Sequence, residues 1–409
     1  MLNWNITTLI FTHFLWGFVN ATYLVVIQPH IVNSLELENL VSGQYLGIIM
    51  TIANLSMVMP LLLGFLADNY GSKRMLIIGK LFSLLGLFGL LSSIDILVVT
   101  GSLVIFNCGI GLYNSPLQAM IYQSSTKKNR AMAYSLIYNS ASIAGIVTTV
   151  VMQIDGFFTI QAFFVFTTVL LLFAIIANSF LLKNPVLPSV KTSASLFKVM
   201  KEPRFKLTTF AFFLDSFVWG LSISIAYGLF VVMFGFDFRV IAMLELCKSL
   251  FLVLFQYPAG FIVDKIGKFG GLLIGEFTAM PWLLSVVLAI FNPVISRELL
   301  IIGFCFLGIS IAFWRPSVTI SFTEMDPRLP ATYFGYMSFF QTLGWVPTAL
   351  IGGILFDWVG YLPILVTTFI GTIIVVFLFR WINRLEKEFS MTIEEKGIMI
   401  PETSPIIHQ

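Results

Sequence analysis

Charged residues are scarce in this chain. Only 11% of its 409 residues are Asp, Glu, Lys or Arg, whereas soluble domains contain about 25%. Hydrophobic residues make up 58% of the chain and include 42 Phe. A soluble protein needs charged side chains over its surface, whereas a surface that faces lipid needs apolar ones. The composition therefore excludes a water-soluble fold and predicts an integral membrane protein.

Cysteine is also rare. The three cysteines lie in apolar stretches and lack the paired spacing of a metal site or a disulfide framework. The sequence has no nucleotide-binding loop and no nucleophile constellation, and its formal net charge is only +3. We therefore expect no enzyme activity, no cofactor, no ATP-driven transport and no nucleic-acid partner.

Long apolar stretches recur along the whole chain. A bilayer core about 30 Å thick requires about 20 apolar residues per helix. The first stretch has no basic segment before it and is too long for a cleaved signal, so we expect it to be retained. The pattern predicts an all-α membrane protein of about twelve transmembrane helices, near residues 6–28, 44–66, 75–93, 97–121, 132–154, 159–182, 207–233, 240–262, 270–291, 299–321, 332–354 and 362–382.

Basic residues are concentrated in every second loop. If the N-terminus is cytoplasmic, the cytoplasmic loops hold nearly all the loop Lys and Arg, and the opposite loops hold only Arg239 and Arg297. Cytoplasmic loops of membrane proteins carry such an excess. We therefore expect a multi-pass protein of the plasma membrane with both termini in the cytoplasm.

The two halves of the sequence resemble each other. The segment 64–71, GFLADNYG, recurs as GFIVDKIG at 260–267, and Trp16-Gly17 recurs as Trp219-Gly220. We predict six-helix bundles over 1–182 and 207–382, a cytoplasmic linker over 183–206 and a cytoplasmic tail over 383–409 that is disordered from Arg384 onward. In transporters built from repeats, the solute site lies where the repeats meet.

These features resemble the major facilitator superfamily. Its signature loop between the second and third spans has a Gly, an Asp four residues later, a Gly three residues further and then a basic residue. The resemblance implies pseudo-symmetric bundles, a central cavity and an inner gate at this loop. The matching residues are Gly64, Asp68, Gly71, Lys73 and Arg74, and in the counterpart loop Gly260, Asp264, Gly267 and Lys268.

Asp68 provides a first test of the gate. We expect Asp68→Asn to lower transport while expression stays intact, because a carboxylate at the inner surface can face a helix N-terminus and favour one packing of the halves. Uptake rates of the variant and the parent protein measure this effect. Unchanged uptake kinetics would contradict a gating role.

The chain departs from the drug and proton antiporters of the superfamily. Those proteins carry an Arg in the fourth span where this chain has Ile105, and a Gly-Pro motif in the fifth span where it reads Gly145-Ile-Val-Thr-Thr. The departure counts against antiport.

Four ionisable residues lie deep in predicted spans, where each costs several kcal/mol and indicates function: His13, Asp215, Lys248 and Arg315. Counting from the helix ends places His13, Asp215 and Arg315 at one depth. We predict that Asp215 and Arg315 pair, either as structural support or as a switch broken by a proton or an anion. His13 either carries a coupling proton or is a packing residue.

Several other polar residues lie within the predicted spans. Lys248 either neutralises Glu245, three residues earlier, or faces the cavity and recognises an anion. Lys80 and Glu276 lie near inner helix ends, and we expect both to reach the interface. The amides at Asn107, Asn114 and Gln118 share one helical face and, with Asn20 on the first span, either line a cavity or join helices.

The sequence as a whole favours a monomeric secondary transporter surrounded by membrane lipids. It would move a small polar or anionic solute by alternating access, driven by a solute or proton gradient. An exporter of amphiphilic compounds by proton antiport is the second hypothesis, favoured by the abundant Phe and Met. A sensor or lipid-handling protein without solute turnover is the third.

Overall fold

The computed structural model describes residues 3–37, 40–58, 70–125, 130–154, 159–183, 203–323 and 330–395. Within these ranges the regular structure is helical. The α-helices are α1 (Trp4–Leu37), α2 (Gly43–Leu55), α3 (Ser72–Ser92), α4 (Ile96–Ser124), α5 (Arg130–Met152), α6 (Ile160–Leu181), α7 (Pro203–Ile223), α8 (Ala226–Phe234), α9 (Phe238–Ile266), α10 (Lys268–Phe291), α11 (Ser296–Thr323), α12 (Pro330–Val359) and α13 (Tyr361–Glu395).

The prediction of about twelve spans is confirmed. Helices α7 and α8 form one span that is interrupted at residues 224 and 225. Each predicted stretch coincides with one helical span over the residues that are described, and residues 59–66 of the second stretch lie outside them. In the described part of the chain, nine spans are long and apolar enough to cross a membrane, and α2 and α5 contain shorter apolar segments. The remaining span is α9, which has 29 residues and carries the charged residues Glu245 and Lys248.

Polar residues set several helix ends. The Asp95 carboxylate accepts hydrogen bonds from the backbone N–H groups of Leu97 and Val98 at the start of α4. Asp237 does the same at the start of α9. Such caps satisfy N–H groups that lack a partner within the helix. Gly235 ends α8 with a φ of 66°, a conformation that favours glycine.

The helix pairs of the first half recur in the second. Helix α3 packs along α4 as α10 packs along α11, and α1 packs against α5 and α6 as α7 packs against α12 and α13. The halves meet where α2 contacts α12 and where α5 contacts α9. These paired contacts give two pseudo-symmetric six-helix bundles with an interface between them.

Glycines bring some helices very close together. Gly79 on α3 faces Gly109 on α4, and a Cβ added at Gly79 would lie 2.7 Å from the backbone nitrogen of Tyr113 and 2.9 Å from the Gly109 carbonyl oxygen. A Cβ at Gly109 would overlap the Gly79 carbonyl oxygen and Ser83. Small residues allow this approach in membranes, where association depends on packing.

The C-terminal part of the chain differs from the prediction of disorder from Arg384 onward. Helix α13 continues without a break to Glu395. Extending a helix that is already formed costs little, and the added Arg, Leu, Glu and Lys residues are good helix formers. Residues 184–202 of the predicted linker and residues 396–409 lie outside the described ranges.

Candidate functional site

A cavity of about 390 Å³ lies between the two halves and is called here the central cavity. Its walls come from α1, α4 and α5 of the first half and from α9, α11 and α12 of the second. It extends to Gly260 and to the exposed Asp264 near the end of α9. Six of the eight candidate residues for solute binding or coupling also line it: His13, Asn20, Asn114, Gln118, Lys248 and Arg315.

Arg315 points into this cavity. Its guanidinium carbon lies 5.8 Å from the centre of the Tyr138 ring on α5, and Glu245 acts on it electrostatically. The predicted ion pair with Asp215 is wrong, because Asp215 Oδ2 instead accepts a hydrogen bond from Trp314 Nε1 at 3.2 Å. Consecutive helix residues are about 100° apart around the axis. Helix α11 therefore turns Trp314 toward Asp215 and Arg315 toward the central cavity.

Lys248 both pairs with Glu245 and lines the central cavity, so each of its two predicted roles is met in part. Its Nζ lies 2.6 Å from Glu245 Oε2, and Glu245 also accepts a hydrogen bond from the Tyr227 hydroxyl. The ammonium group therefore has a carboxylate partner, although its side chain also lines the cavity. A solute that approached Lys248 would meet a compensated charge, whereas Arg315 presents a cation that is bonded to no carboxylate within the described ranges.

His13 sits in a buried cluster of the first half. It hydrogen-bonds through Nδ1 with the Tyr113 hydroxyl, and its ring meets Tyr138 edge to face. Lys80 Nζ lies 5.2 Å from the centre of the Tyr113 ring and 3.5 Å from the Thr12 carbonyl oxygen. Lys80 has an exposed fraction of 0%, so the expectation that it reaches the membrane interface is wrong.

The three amides of α4 have different surroundings. Asn114 is exposed in the central cavity, and Gln118 Nε2 donates to the Tyr138 hydroxyl beside Arg315. Asn107 lies away from the cavity, fully buried, and its Nδ2 donates to Asn54 Oδ1 on α2 at 3.1 Å. The predicted polar face therefore divides into a cavity lining and a contact between helices.

A second cavity of about 390 Å³ adjoins the first and is called here the aromatic cavity. Leu24, Lys248, Ile311 and Trp314 line both cavities, so they form the shared wall. Asp215 and Glu276 also line the aromatic cavity, and its aromatic residues are Tyr23, Trp219, Tyr227, Trp282, Phe304, Trp314 and Trp345.

Glu276 corrects a second expectation. It has an exposed fraction of 2% and accepts a hydrogen bond from Trp219 Nε1 at 2.7 Å, so it does not reach the interface. Its carboxyl group lies close enough to that of Asp215 for the two to interact directly, and both line the aromatic cavity. The offset of 196 residues that relates the two halves also relates Lys80 to Glu276. That repeat was the signal that Glu276 occupies an equivalent interior position.

Hydrogen bonds join the two halves at the end opposite Asp264. Gln28 on α1 donates from Nε2 to the Ser224 carbonyl oxygen at 2.8 Å, and its Oε1 accepts from the Gly228 N–H at 2.7 Å. These two bonds span the break between α7 and α8. Asp357 on α12 accepts from the backbone N–H groups that open α2, at residues 43 and 44, both at 2.8 Å. We call these contacts the seal.

The signature loops are described in part. Gly71 and Gly267 have φ angles of 96° and 82°, which favour glycine. Lys73 Nζ donates to the Ser179 carbonyl oxygen at 2.8 Å, Arg74 is exposed, and Lys268 Nζ lies 5.5 Å from the centre of the Phe269 ring. Gly64 and Asp68 lie outside the described residues.

A cavity between two equivalent six-helix bundles, closed at one face, is the arrangement expected of a carrier. A model of the Major Facilitator Superfamily matches residues 9–349. The chain belongs to this superfamily. Its membership makes the chain a multi-pass membrane transporter in broad class, and the resemblance inferred from the signature loops is confirmed.

Three known proteins are similar to this superfamily member in sequence or in structure. Multidrug resistance protein 2 of Bacillus subtilis (strain 168) is 25% identical over 319 residues, covering 74% of this chain and 77% of that protein. The structure of the human organic anion transporter MFSD10 (TETRAN) aligns with a TM-score of 0.73 at 12% identity, over 92% of this chain and 99% of that one. A point mutant of the nucleoside transporter NupG aligns with a TM-score of 0.68 at 16% identity, over 92% of this chain and 99% of that one. At these identities the two structures establish the fold.

Proposed function

We propose that this chain is a secondary transporter that moves a small polar or anionic solute through the central cavity by alternating access. Arg315 carries the proposal, because its guanidinium enters the cavity without a bonded carboxylate in the described part of the chain. Asn114 and Gln118 add amide groups beside it. A guanidinium offers several N–H donors in a planar fork that matches a carboxylate or phosphate.

The seal supports alternating access. Gln28 and Asp357 close one face through hydrogen bonds, while the central cavity extends to Asp264 at the other. Hydrogen bonds of this kind can break and reform as the bundles rock. We place the open face, the 183–206 linker and both termini in the cytoplasm of a plasma-membrane monomer, with bundles over 1–182 and 207–382.

Export of amphiphilic compounds is the second candidate function. The aromatic cavity favours it, since indole and phenol rings bind apolar and cationic groups, and the 25%-identical relative is called a multidrug resistance protein. A sensor or lipid-handling role is the third candidate. Counterflow separates the candidates: purified protein in liposomes would be tested with labelled p-aminohippurate, uridine and ethidium. Exchange of ethidium alone would favour export, and exchange of no probe would favour the sensor.

Arg315→Gln should lower p-aminohippurate counterflow by about 10- to 100-fold, because a hydrogen bond to a charged group contributes about 1.5–3 kcal/mol. Arg315→Lys should recover part of the rate, since charge returns without the planar fork. Initial exchange rates at several probe concentrations provide the measurement. Arg297→Gln is the control, because it removes an exposed Arg at the other end of α11. Equal rates for all three variants would remove Arg315 from solute recognition.

A further inference from the structure

Two carboxyl groups face each other inside the second half of the chain. Asp215 on α7 and Glu276 on α10 each have an exposed fraction of 2%, line the same cavity and lie close enough to interact directly. They come from different helices and meet beside the aromatic cavity. Two adjacent carboxylates away from water cannot both be ionised without a large cost. A pair at this position therefore retains a proton unless a cation compensates it.

Within the described ranges, the charged and titratable groups around the pair do not supply that cation. Helix α1 contributes Tyr23 to the cavity, α8 contributes Tyr227, and α9 contributes Lys248, whose ammonium group is bonded to Glu245. Helix α12 contributes Trp345, which does not titrate, and the cavity residues from α2 are likewise uncharged. On α11, Arg315 lines the central cavity instead.

The hydrogen bonds donated to the two carboxyl groups are those expected when the pair holds one proton and one negative charge. Trp219 Nε1 donates to Glu276 Oε2 at 2.7 Å, and Trp314 Nε1 donates to Asp215 Oδ2 at 3.2 Å. Indole N–H groups only donate, so they favour a carboxylate over a protonated acid. Asp215 Oδ1 is buried and has no conventional donor among the described residues. A proton held between the two carboxyl groups would add a donor that the pair otherwise lacks.

The pair is linked to the candidate solute site through consecutive residues of one helix. Trp314 bonds Asp215, and Arg315 enters the central cavity. Pro316 follows within α11 and lacks the N–H that would bond one turn earlier, which makes the helix easier to deform here. An anion that moves Arg315 would therefore also move the indole that holds the carboxyl pair.

We propose that the Asp215–Glu276 pair is the proton-binding site that couples solute movement to a proton gradient. The inference rests on the proposed transport of an anion. One proton from water binds a carboxylate oxygen of the singly charged pair and neutralises it, and no other bond breaks. The anion neutralises Arg315 in the same step. A carrier loaded with both has no added net charge in the membrane, whereas a carrier loaded with one does, so proton and anion move together.

The first test needs no solute. Infrared spectra of the purified protein would be recorded across a pH titration, following the carbonyl stretch of protonated carboxylic acids. The parent protein should retain such a band at neutral pH, and Glu276→Gln and Asp215→Asn should each lose it. Asp95→Asn is the matched control, because it removes an exposed helix-capping carboxylate, and its band should be unchanged. A parent protein without the band, or a band that survives in Glu276→Gln, would overturn the proposal.

The second test measures coupling in liposomes. Glu276→Gln should lose at least about 10-fold of the p-aminohippurate accumulation driven by a pH gradient, whereas Asp95→Asn, which removes an exposed helix-capping carboxylate outside the pair, should keep it. Asp215→Asn provides the same comparison if Glu276→Gln does not fold. Retained pH-driven accumulation, or parent accumulation driven by sodium instead, would refute the coupling site. Absence of counterflow in the parent protein would instead refute anion transport, and the infrared result would still decide whether the pair binds a proton.

Discussion

Gly109→Leu should prevent the first half of this transporter from packing, which is the largest effect expected of a single substitution. A Cβ at Gly109 would already overlap the Gly79 carbonyl oxygen and Ser83, and Leu adds three further carbons. Overpacking costs typically 1–3 kcal/mol where side chains can adjust, and a collision with backbone allows little adjustment, so we expect about 3 kcal/mol or more. Thermal stability in detergent, followed by size-exclusion chromatography after heating, measures this loss.

Gly101→Leu is the matched control for that experiment. Gly101 lies on the same helix, α4, and a Cβ added there meets nothing within 4 Å. The control should therefore keep the melting temperature of the parent protein, apart from a small gain in helix propensity. If Gly109→Leu and Gly101→Leu melted together, the close packing of α3 and α4 would not be needed for stability.

Gly47→Leu should hold the sealed face open. A Cβ at Gly47 would overlap the Ala349 carbonyl oxygen and lie 3.0 Å from the Cα of Leu350, so a larger side chain must push α2 away from α12. This separation breaks hydrogen bonds of the seal and shifts the balance toward the opposite conformation. Met50→Cys, buried beside the aromatic cavity, reports the change when the native cysteines are replaced.

The measurement is the labelling rate of that cysteine by a membrane-impermeant maleimide in intact cells. Adding Gly47→Leu should raise the rate at least about 10-fold, which corresponds to a shift of about 1.4 kcal/mol between the two conformations. Gly101→Leu in the same background should leave the rate unchanged. A folded Gly47→Leu protein that labels no faster would show that α2 and α12 do not control access at this face.

The sequence was sufficient for the helices because the bilayer as solvent imposes a length and an apolar composition on each span. The repeat of GFLADNYG as GFIVDKIG, with the Gly71 and Gly267 turns, was likewise sufficient for the superfamily. Both features are patterns of residues that follow one another in the chain. They can therefore be recognised without knowing how the helices pack.

The candidate site was harder to predict because its contacts depend on the rotation of each helix about its axis. Counting residues from the helix ends placed Asp215 and Arg315 at one depth, but depth does not say which residue faces which neighbour. Helix α11 presents Trp314 to Asp215, and α10 presents Glu276. A shift of one residue turns a side chain by about 100°, which is enough to exchange an ion pair for a carboxyl pair.

Lys80 and Glu276 were misplaced for a related reason. Both lie about two turns from the start of their helices, a distance that predicts that their charged groups reach water. Their side chains point between helices instead, Lys80 toward Tyr113 and Glu276 toward Trp219. A single sequence gives no measure of that direction, although the repeat that relates the two positions hinted that they share a role.

The interruption between α7 and α8 leaves backbone groups that the helix itself does not bond. Residues 224 and 225 lie outside helical geometry, and α8 has only nine residues before Gly235 ends it. In a continuous helix the Gly228 N–H would donate to the Ser224 carbonyl oxygen, and the Gln28 amide bonds both of these groups instead. A side chain of the first half thus completes the backbone hydrogen bonding of the second, so separating the halves at this point would leave two backbone groups without partners.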